Sequence, residues 1–483
     1  MVVQPDIAYR ALRARDRRFD GLFFVGVTTT GIYCRPICTA RLPGRDRCVF
    51  FPRAVDAERG GYRACFRCRP ELAPGNAPSD SISRLVRTAV SRVEAGCLNE
   101  GSLDDLSREL GVSGRHLRRA MEAELGTSPV ELAQSRRLAL AKQLLQDTSL
   151  PVTDVAFSSG FSSVRRFNAL FSQRFGQTPS SLRRGRPARS HEALTLRLDY
   201  RPPFDWAGVL VFLNARATPG VESVEGGAYR RTARLGDRVG WISVRTDVAR
   251  HRLEADVSLS LAPVLMTVVA RLRGLFDLDA HPQAIAEHLG RDPQLSALVR
   301  RRPGLRVAGA FDGFETAVRA ILGQQVSVRG ATTLMGRFVA RFGSPLATPV
   351  DGLTHVSPSA DAVAALTERE VASIGIPGAR ARTLLSLARA VADGTLRLGR
   401  GEDPAAMAER LLELPGIGPW TAQYVAMRAL GWPDAFPGSD LGIRKALGGR
   451  SPAAIEEMSQ AWRPWRAYAA GHLWASLADG VAR

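Results

Sequence analysis

Residues 411–430 read LLELPGIGPWTAQYVAMRAL, in which two apolar-periodic runs flank a break carrying Gly416 and Gly418. The pattern predicts a helix, a tight turn and a second helix. Glycine lets a backbone come close to a phosphate, and the free N–H groups at the start of the second helix attract one. Such a helix-hairpin-helix holds a nucleic-acid backbone without reading its sequence. On its own, the same turn would also serve as a plain connection between helices.

The composition points the same way. The formal net charge is +19, and residues 1–190 hold 31 Lys and Arg against 18 Asp and Glu. A polyanion is the expected partner, with nucleic acid the leading class. Only Lys142 and Lys445 are lysines, and no function is read into that bias. A chain of 483 residues exceeds one core and predicts three or four domains. No apolar run approaches the roughly 20 residues that span a bilayer, and no signal-peptide h-region follows the arginines of MVVQPDIAYRALRARDRR. A cytoplasmic protein with no membrane partner is expected. Six cysteines in a reducing compartment favour a metal or a reactive thiol over a disulfide framework.

Breaks rich in Pro, Gly and charge at 70–80 and 183–191 read as linkers. Between them the pattern is helical and repeats weakly. Residues 111–129 resemble residues 160–179, with one residue inserted in the second copy. After the second linker, LTLRLDY, YRRTARL, VGWISVRT and HRLEADVSL alternate as strands do, and helical spacing returns from about 262.

Cys34, Cys38, Cys65 and Cys68 are spaced C-x3-C-x26-C-x2-C. Two short-spaced pairs joined by a loop can deliver four thiolates to one tetrahedral Zn²⁺. On spacing alone, a structural zinc clip, a reactive zinc site and no metal all stand. Cys48 and Cys97 lack partner spacing and read as structural. The words FVGVTTTGIYCRPIC and GYRACFRCRP closely resemble the N-terminal domain of the Ada adaptive-response proteins. That resemblance implies one zinc held by the four cysteines, with Cys34 taking a methyl group from a DNA methylphosphotriester. A metal-held sulfur stays deprotonated at neutral pH, so no general base is needed. One S-methylation would take a Zn(Cys)4 centre from −2 to −1 and ease its repulsion from DNA. Arg35, Arg67 and Arg69 flank the cysteines, either steering a phosphate or lying solvated on the surface.

Residues 103–126 and 152–176 each read as helix, glycine-containing turn, helix. The second helix of each unit carries Arg115, His116, Arg118 and Arg119, then Ser162, Ser163, Arg165, Arg166 and Asn168. These side chains can bond base edges or phosphates in a major groove, or simply face outward. Two such copies joined by a helix over 131–147 resemble the AraC-type DNA-binding domain. The implied function is a transcription activator whose signal is its own methylation, with RNA polymerase as a further partner.

Asp440 stands in FPGSDLGIRKAL just where a helix begins, a place where an aspartate can act solely as an N-cap. The run from 194 to 482 changes its meaning. YRPPFDWAGVLVFLNARA, DVARHRLEADVSLS, RPGLRVAGAFDGFETAVRAILGQQVSV, LPGIGPWTAQYVAMRAL and WRPWRAYAAGHLW together resemble the AlkA class of 3-methyladenine DNA glycosylases. The resemblance implies that Asp440 is the catalytic carboxylate, stabilising an oxocarbenium-like sugar or orienting water toward it. Phe212, Trp420, Tyr424 and Trp474 match the family's base pocket, where electron-rich rings select a cationic alkylated purine. Gly416, Gly418 and Gln325 would contact DNA. Trp420 occupies the place where lyases carry a Schiff-base lysine, so a monofunctional enzyme without a cofactor for this step is expected. Gln325 replaces the usual leucine beside the flipped base, and Leu441 and Ala475 stand where aromatics are common.

The expected fold is therefore multidomain: an α+β zinc domain (1–77), an all-α double helix-turn-helix (78–187), a small α+β sheet domain (191–275) and an all-α helix-hairpin-helix glycosylase domain (276–483). The expected function joins a methyl-sensing activator to excision of 3-methyladenine and 7-methylguanine class bases from double-stranded DNA. The competing reading is a regulator whose glycosylase half only binds DNA. A second methyltransferase of the O6-methylguanine type is excluded, because no cysteine follows Cys97.

Overall fold

A computed structural model of the chain describes residues 3–75, 83–183 and 193–478. The expected linkers fall mostly outside these residues. Of their flanks, Pro70–Leu72 forms a short 3-10 helix and Arg183 ends the helix Pro179–Arg183. The chain forms two compact units: Met1–Pro202 with Thr246–Ala270, and Pro203–Arg245 with Arg271–Arg483. The stretch 191–275 contributes to both.

The first unit begins with helix α1 (Pro5–Ala14) and a four-stranded sheet: β1 (Phe24–Val27), β2 (Ile32–Cys34), β3 (Cys48–Phe51) and β4 (Arg63–Ala64), in the order β3-β1-β2-β4. β1 pairs antiparallel with β2 and β3, whereas β2 and β4 run parallel, Tyr33 opposite Ala64. Ala8, Leu12, Phe23 and Val25 form the small core beneath it.

The helices that follow carry the repeat. α2 (Leu103–Glu109) and α3 (Gly114–Leu125) form the first unit of it, α4 (Pro129–Asp147) connects, and α5 (Val152–Ser158) and α6 (Val164–Phe175) form the second. The copies agree in detail. Ser113 and Ser163 cap α3 and α6 by accepting from the backbone N–H three residues on. Leu117, Met121 and Leu125 are buried along α3, as are Phe167, Phe171 and Phe175 along α6. Both helices end at a left-handed glycine, Gly126 (φ +62°) and Gly176 (φ +68°). The strand Ala193–Asp199 and its antiparallel partner Arg252–Ser258 complete this unit.

The second unit holds an antiparallel meander of Glu222–Glu225, Ala228–Leu235 and most of Arg238–Asp247, whose last two residues fall in the first unit. Around it lies a helical body with one large apolar core that includes Val318, Leu384, Leu411, Val425 and Trp462. The helices that position its site are α7 (Trp206–Asn214), α8 (Gly313–Leu322), α9 (Val328–Phe342), α10 (Pro404–Leu412), α11 (Pro419–Arg428), α12 (Leu441–Ala446) and α13 (Arg466–Ala478). Among the described residues no helix is long and apolar enough to cross a membrane.

Candidate functional site

Strand register assembles the four cysteines. Cys34 follows Tyr33 and Cys65 follows Ala64, so the parallel pairing of β2 with β4 sets these thiols side by side. Tight turns return Cys38 and Cys68 to the same point, where the Cys38 N–H donates to the Arg35 carbonyl at 3.1 Å. All four Sγ atoms lie within 4.8 Å of one another, and those of Cys38 and Cys65 are 4.0 Å apart. A tetrahedral Zn²⁺ with bonds of about 2.3 Å would set its sulfurs about 3.8 Å apart, so the donor set fits one such ion. Hydrogen bonds from its neighbours hold the Cys65 thiol below its ordinary range, and hydrogen bonding with Cys34 brings Cys38 down to about 7. Cys34 is 8% exposed, and Cys68 is the most accessible of the four. Cys48 donates to the Gly44 carbonyl at 3.2 Å, away from the cluster.

Two of the three flanking arginines have a different role from the surface one expected. Arg35 is 2% exposed and forms ion pairs with Asp20 and, at 2.7 Å, with Asp199. Arg69 reaches both carboxylate oxygens of Asp147 at 2.8 Å. Each carboxylate holds its guanidinium inside the fold, so neither is free to meet a phosphate. Arg67 is exposed.

The loop that carries Cys65 is tied to the connecting helix of the repeat. Lys142 on α4 is fully buried, donating to the Cys65 carbonyl at 3.2 Å and to Glu71 at 2.8 Å, with its ammonium 4.8 Å from the Phe66 ring. Lys142 was not anticipated from the sequence, although its place among 64 arginines offered a signal. Arg115, His116, Arg118 and Arg119 on α3, and Arg165, Arg166 and Asn168 on α6, are all exposed.

In the second unit, α10 and α11 form the hairpin around 414–418. Gly416 has φ +85°, and a Cβ there would lie 2.1 Å from Thr383 Oγ1. Gly418, with φ −96°, is the N-cap of α11, where Pro419 needs no hydrogen-bond acceptor. Gln325 is exposed with φ +59° in the turn between α8 and α9. Its neighbour Gln324, which sequence reasoning passed over, bonds the Gly416 carbonyl at 2.9 Å and Thr421 Oγ1 at 3.1 Å. The Gln325 turn is thereby locked to the hairpin.

Helical periodicity places Trp420, Tyr424 and Arg428 on one face of α11. Trp420 and Tyr424 stack at 5.2 Å with 14° between planes, and Trp474 on α13 lies 6.3 Å from Tyr424. Phe212 on α7 lies 6.3 Å from Trp474 at 27°. Asp440 stands beside this stack. Its Oδ2 accepts the Trp420 indole N–H at 2.9 Å, and its Oδ1 accepts the Trp474 indole N–H at 2.9 Å and the Ile443 N–H at 3.0 Å. The carboxylate therefore caps α12 and is also aimed by two pocket rings. Leu441 is 62% exposed. Burial would raise the Tyr424 phenol, but Arg428, Arg216 and Arg319 outweigh it and leave the group below its usual range.

Comparison with known proteins follows the same layout. Residues 7–71 match the metal binding domain of Ada, 106–185 a helix-turn-helix domain, 195–312 the AlkA N-terminal domain, and 318–465 the HhH-GPD superfamily base excision DNA repair protein. The chain is 43% identical to the probable bifunctional transcriptional activator/DNA repair enzyme AlkA of Mycobacterium tuberculosis (strain CDC 1551 / Oshkosh), over 98% of this chain and 96% of that protein. It is 38% identical to DNA-3-methyladenine glycosylase 2 of Escherichia coli (strain K12), over 57% of this chain and 95% of that one. In fold it is similar to the 3-methyladenine DNA-glycosylase from Archaeoglobus fulgidus, with TM-score 0.51 and 21% identity over 58% of this chain and 97% of the other. With the four domains in this order and similarity running nearly end to end, the chain belongs to the family of bifunctional transcriptional activator/DNA repair proteins that join an Ada front half to an AlkA back half.

Proposed function

We propose that this protein is a bifunctional alkylation-response factor: its back half excises alkylated purines from double-stranded DNA, and its front half takes a methyl group from DNA methylphosphotriesters and activates transcription. The observation that carries the enzymatic reading is the double indole clamp on Asp440, each carboxylate oxygen fixed by a ring of the base pocket. A carboxylate held in this way cannot swing to a solvent partner, and its charge is aimed at whatever the aromatic stack receives.

In the reaction, the C1′–N bond of the flipped nucleotide breaks and its electron pair goes to the base. A purine alkylated at N3 or N7 is cationic and leaves neutral, so no acid is required. Asp440 stabilises the oxocarbenium-like sugar and orients the water that adds to C1′, the water's proton passing to solvent. Trp420 offers no amine for a Schiff base, which supports a monofunctional enzyme with no cofactor for this step. Gly416, Gly418 and Gln325 hold the duplex, with Gln325 facing the orphaned base.

For the front half we assign one Zn²⁺ to Cys34, Cys38, Cys65 and Cys68. The ion, when bound, keeps the sulfurs as thiolates at neutral pH. Cys34 Sγ attacks the methyl carbon of the triester; the S–C bond forms, the C–O bond breaks, and the phosphate oxygen leaves with the electron pair. Arg115, Arg118, Arg119, Arg165 and Arg166 are assigned to promoter DNA, with RNA polymerase as the partner of the bound activator. The proposed domain boundaries are 1–77, 78–187, 191–275 and 276–483.

The test is base release from duplexes containing 3-methyladenine or 7-methylguanine by wild type and Asp440→Asn. Release by wild type with near-total loss in the variant supports the assignment. No release by folded, DNA-binding wild type leaves a regulator that only binds DNA. Mass spectrometry of peptides after incubation with methylphosphotriester DNA reads which cysteine carries the added methyl, and a methyl on Cys68 instead of Cys34 overturns the acceptor.

A further inference from the structure

Gln325 holds an unusual backbone. Its φ is +59°, a left-handed conformation that a residue with a Cβ rarely adopts. Among the described residues of the second unit only Asp277 shares this combination, and it is 3% exposed, whereas Gln325 projects to solvent from the turn between α8 and α9. Strain of this kind persists only where neighbouring groups over-determine it.

The preceding residue supplies that constraint through both its side chain and its backbone. Gln324 is half-buried; its Nε2 donates to the Gly416 carbonyl at 2.9 Å and, at 3.1 Å, to Oγ1 of Thr421, which is 2% exposed. A backbone carbonyl can only accept, so the position calls for an NH2 group. The Gln324 main-chain carbonyl in turn accepts Arg380 Nη2 at 2.8 Å, from the helix Gly378–Ala392. On the other side of Gln325, the Ser327 hydroxyl caps α9 by accepting the Gly330 N–H at 3.1 Å. Gln325 therefore lies in a short turn whose two ends are both held.

The same bonds orient the hairpin. The Pro415 carbonyl accepts Thr383 Oγ1 at 2.9 Å, from the helix that also carries Arg380, and the Gly416 carbonyl accepts Gln324. In a trans peptide the N–H points opposite to the C=O, so the Pro415–Gly416 peptide turns its N–H away from Thr383, at an exposed residue where a phosphate can meet it. The segment that grips the backbone and the segment that enters the duplex are thus joined through one side chain.

We propose that Gln324 is a positioning residue for base flipping: it couples the hairpin's hold on the phosphate backbone to the insertion of Gln325 into the space that the damaged nucleotide leaves. The inference rests on the glycosylase reading above. Extruding a paired base costs unstacking and unpairing, and an inserted side chain offsets more of that cost when it arrives already aimed. The bonds of Gln324 end on the hairpin and on Arg380, not on Asp440 or the aromatic stack. Its loss should therefore slow release of a base that must leave a pair and spare the bond-breaking step.

The experiment measures single-turnover release of 7-methylguanine by the full chain at saturating enzyme from two duplexes. One pairs the lesion with cytosine; the other carries it as a single-nucleotide bulge, which has no pair to break and leaves no orphaned base. Gln324→Met keeps the side-chain length and removes both donors. It should slow release from the paired duplex about tenfold and from the bulge by less than about twofold. Arg380→Met, which frees the Gln324 carbonyl, should repeat this selective loss, and Arg380→Lys, which can still donate, should restore most of it. In a Gln325→Ala background Gln324→Met should add less than about twofold on the paired duplex, because nothing is left to position. Equal slowing on both duplexes in Gln324→Met and Arg380→Met, or no slowing, would overturn the proposal while leaving the glycosylase reading intact. Release from neither duplex by folded wild type rejects that reading and this proposal with it.

Discussion

Lys142 Nζ donates to the backbone carbonyl of Cys65 at 3.2 Å, joining the connecting helix of the double helix-turn-helix to the loop that presents one thiol of the cysteine cluster. The same ammonium pairs with Glu71 at 2.8 Å with no exposure to solvent. Leaving a buried charge wholly uncompensated costs about 3–5 kcal/mol, but Glu71 also accepts from Arg69 Nε at 3.1 Å and keeps that partner when Lys142 is lost. Lys142→Met should therefore destabilise the first unit by less than that, about 1–3 kcal/mol in denaturant unfolding, and Lys142→Met with Glu71→Gln should recover part of it. Additive losses in the double variant would show that the pair is not coupled.

Stripping the metal tests the cysteine cluster as a structural element. The core under the four-stranded sheet is small, and a domain of that size draws much of its stability from its ligand bonds. Chelation, or Cys65→Ser, should abolish bound zinc measured by metal analysis and lower the first unit's melting temperature. The second unit's transition should stay in place.

The two hairpin glycines should respond differently. Gly416→Ala adds a Cβ 2.1 Å from Thr383 Oγ1 at φ +85°, and should cost about 1–3 kcal/mol and weaken duplex binding. Gly418 has open space and a negative φ, so Gly418→Ala should unfold at the wild-type denaturant concentration. Equal effects at both positions would count against the geometry.

Trp474→Phe keeps a pocket ring but removes the N–H that Asp440 Oδ1 accepts at 2.9 Å. Oδ1 then keeps only the Ile443 N–H at 3.0 Å, so the carboxylate is less firmly aimed, and base release should slow by up to about 100-fold at unchanged duplex affinity. Parallel loss of affinity would assign the tryptophan to binding instead.

His472 supplies a pH signature. Burial, reinforced by Arg302, lowers its imidazole to about 4, and Nδ1 is buried without a hydrogen-bond partner. The folded state keeps the ring neutral while the unfolded chain, near the ordinary value of about 6.5, takes a proton as pH falls. Stability from this group is present above pH 6.5 and declines toward pH 4, by about 2 kcal/mol between pH 7 and pH 5. Urea midpoints of wild type and His472→Gln at these two pH values should show the extra acid sensitivity only in wild type.

Much of this organisation is local and was legible. The paired cysteines, the two helix-turn-helix copies with one inserted residue and the hairpin depend on spacings along one or two elements, whereas the aromatic stack draws on three helices and was named only through the family resemblance. Arg428 was legible in principle, lying four residues beyond Tyr424 on the same helix face. Arg35 was not, because its partners Asp20 and Asp199 are 15 and 164 positions away and no pattern near Cys34 announces them. Gln324 escaped for the same reason: its partners, Gly416 and Thr421, are 92 and 97 positions distant.

The sequence by itself determined which residues can do chemistry: four thiols at metal-binding spacing, glycines that admit a phosphate, and a carboxylate at a helix start. These follow from residue type and local backbone preference, which neighbours in the chain impose. Only the tertiary structure decided how those groups are charged and aimed: Asp440 fixed by two indoles, Lys142 drawn under the Cys65 loop, and three arginines gathered behind the aromatic stack. Electrostatic energy depends on distance through space and on burial, and neither is encoded in spacing along the chain.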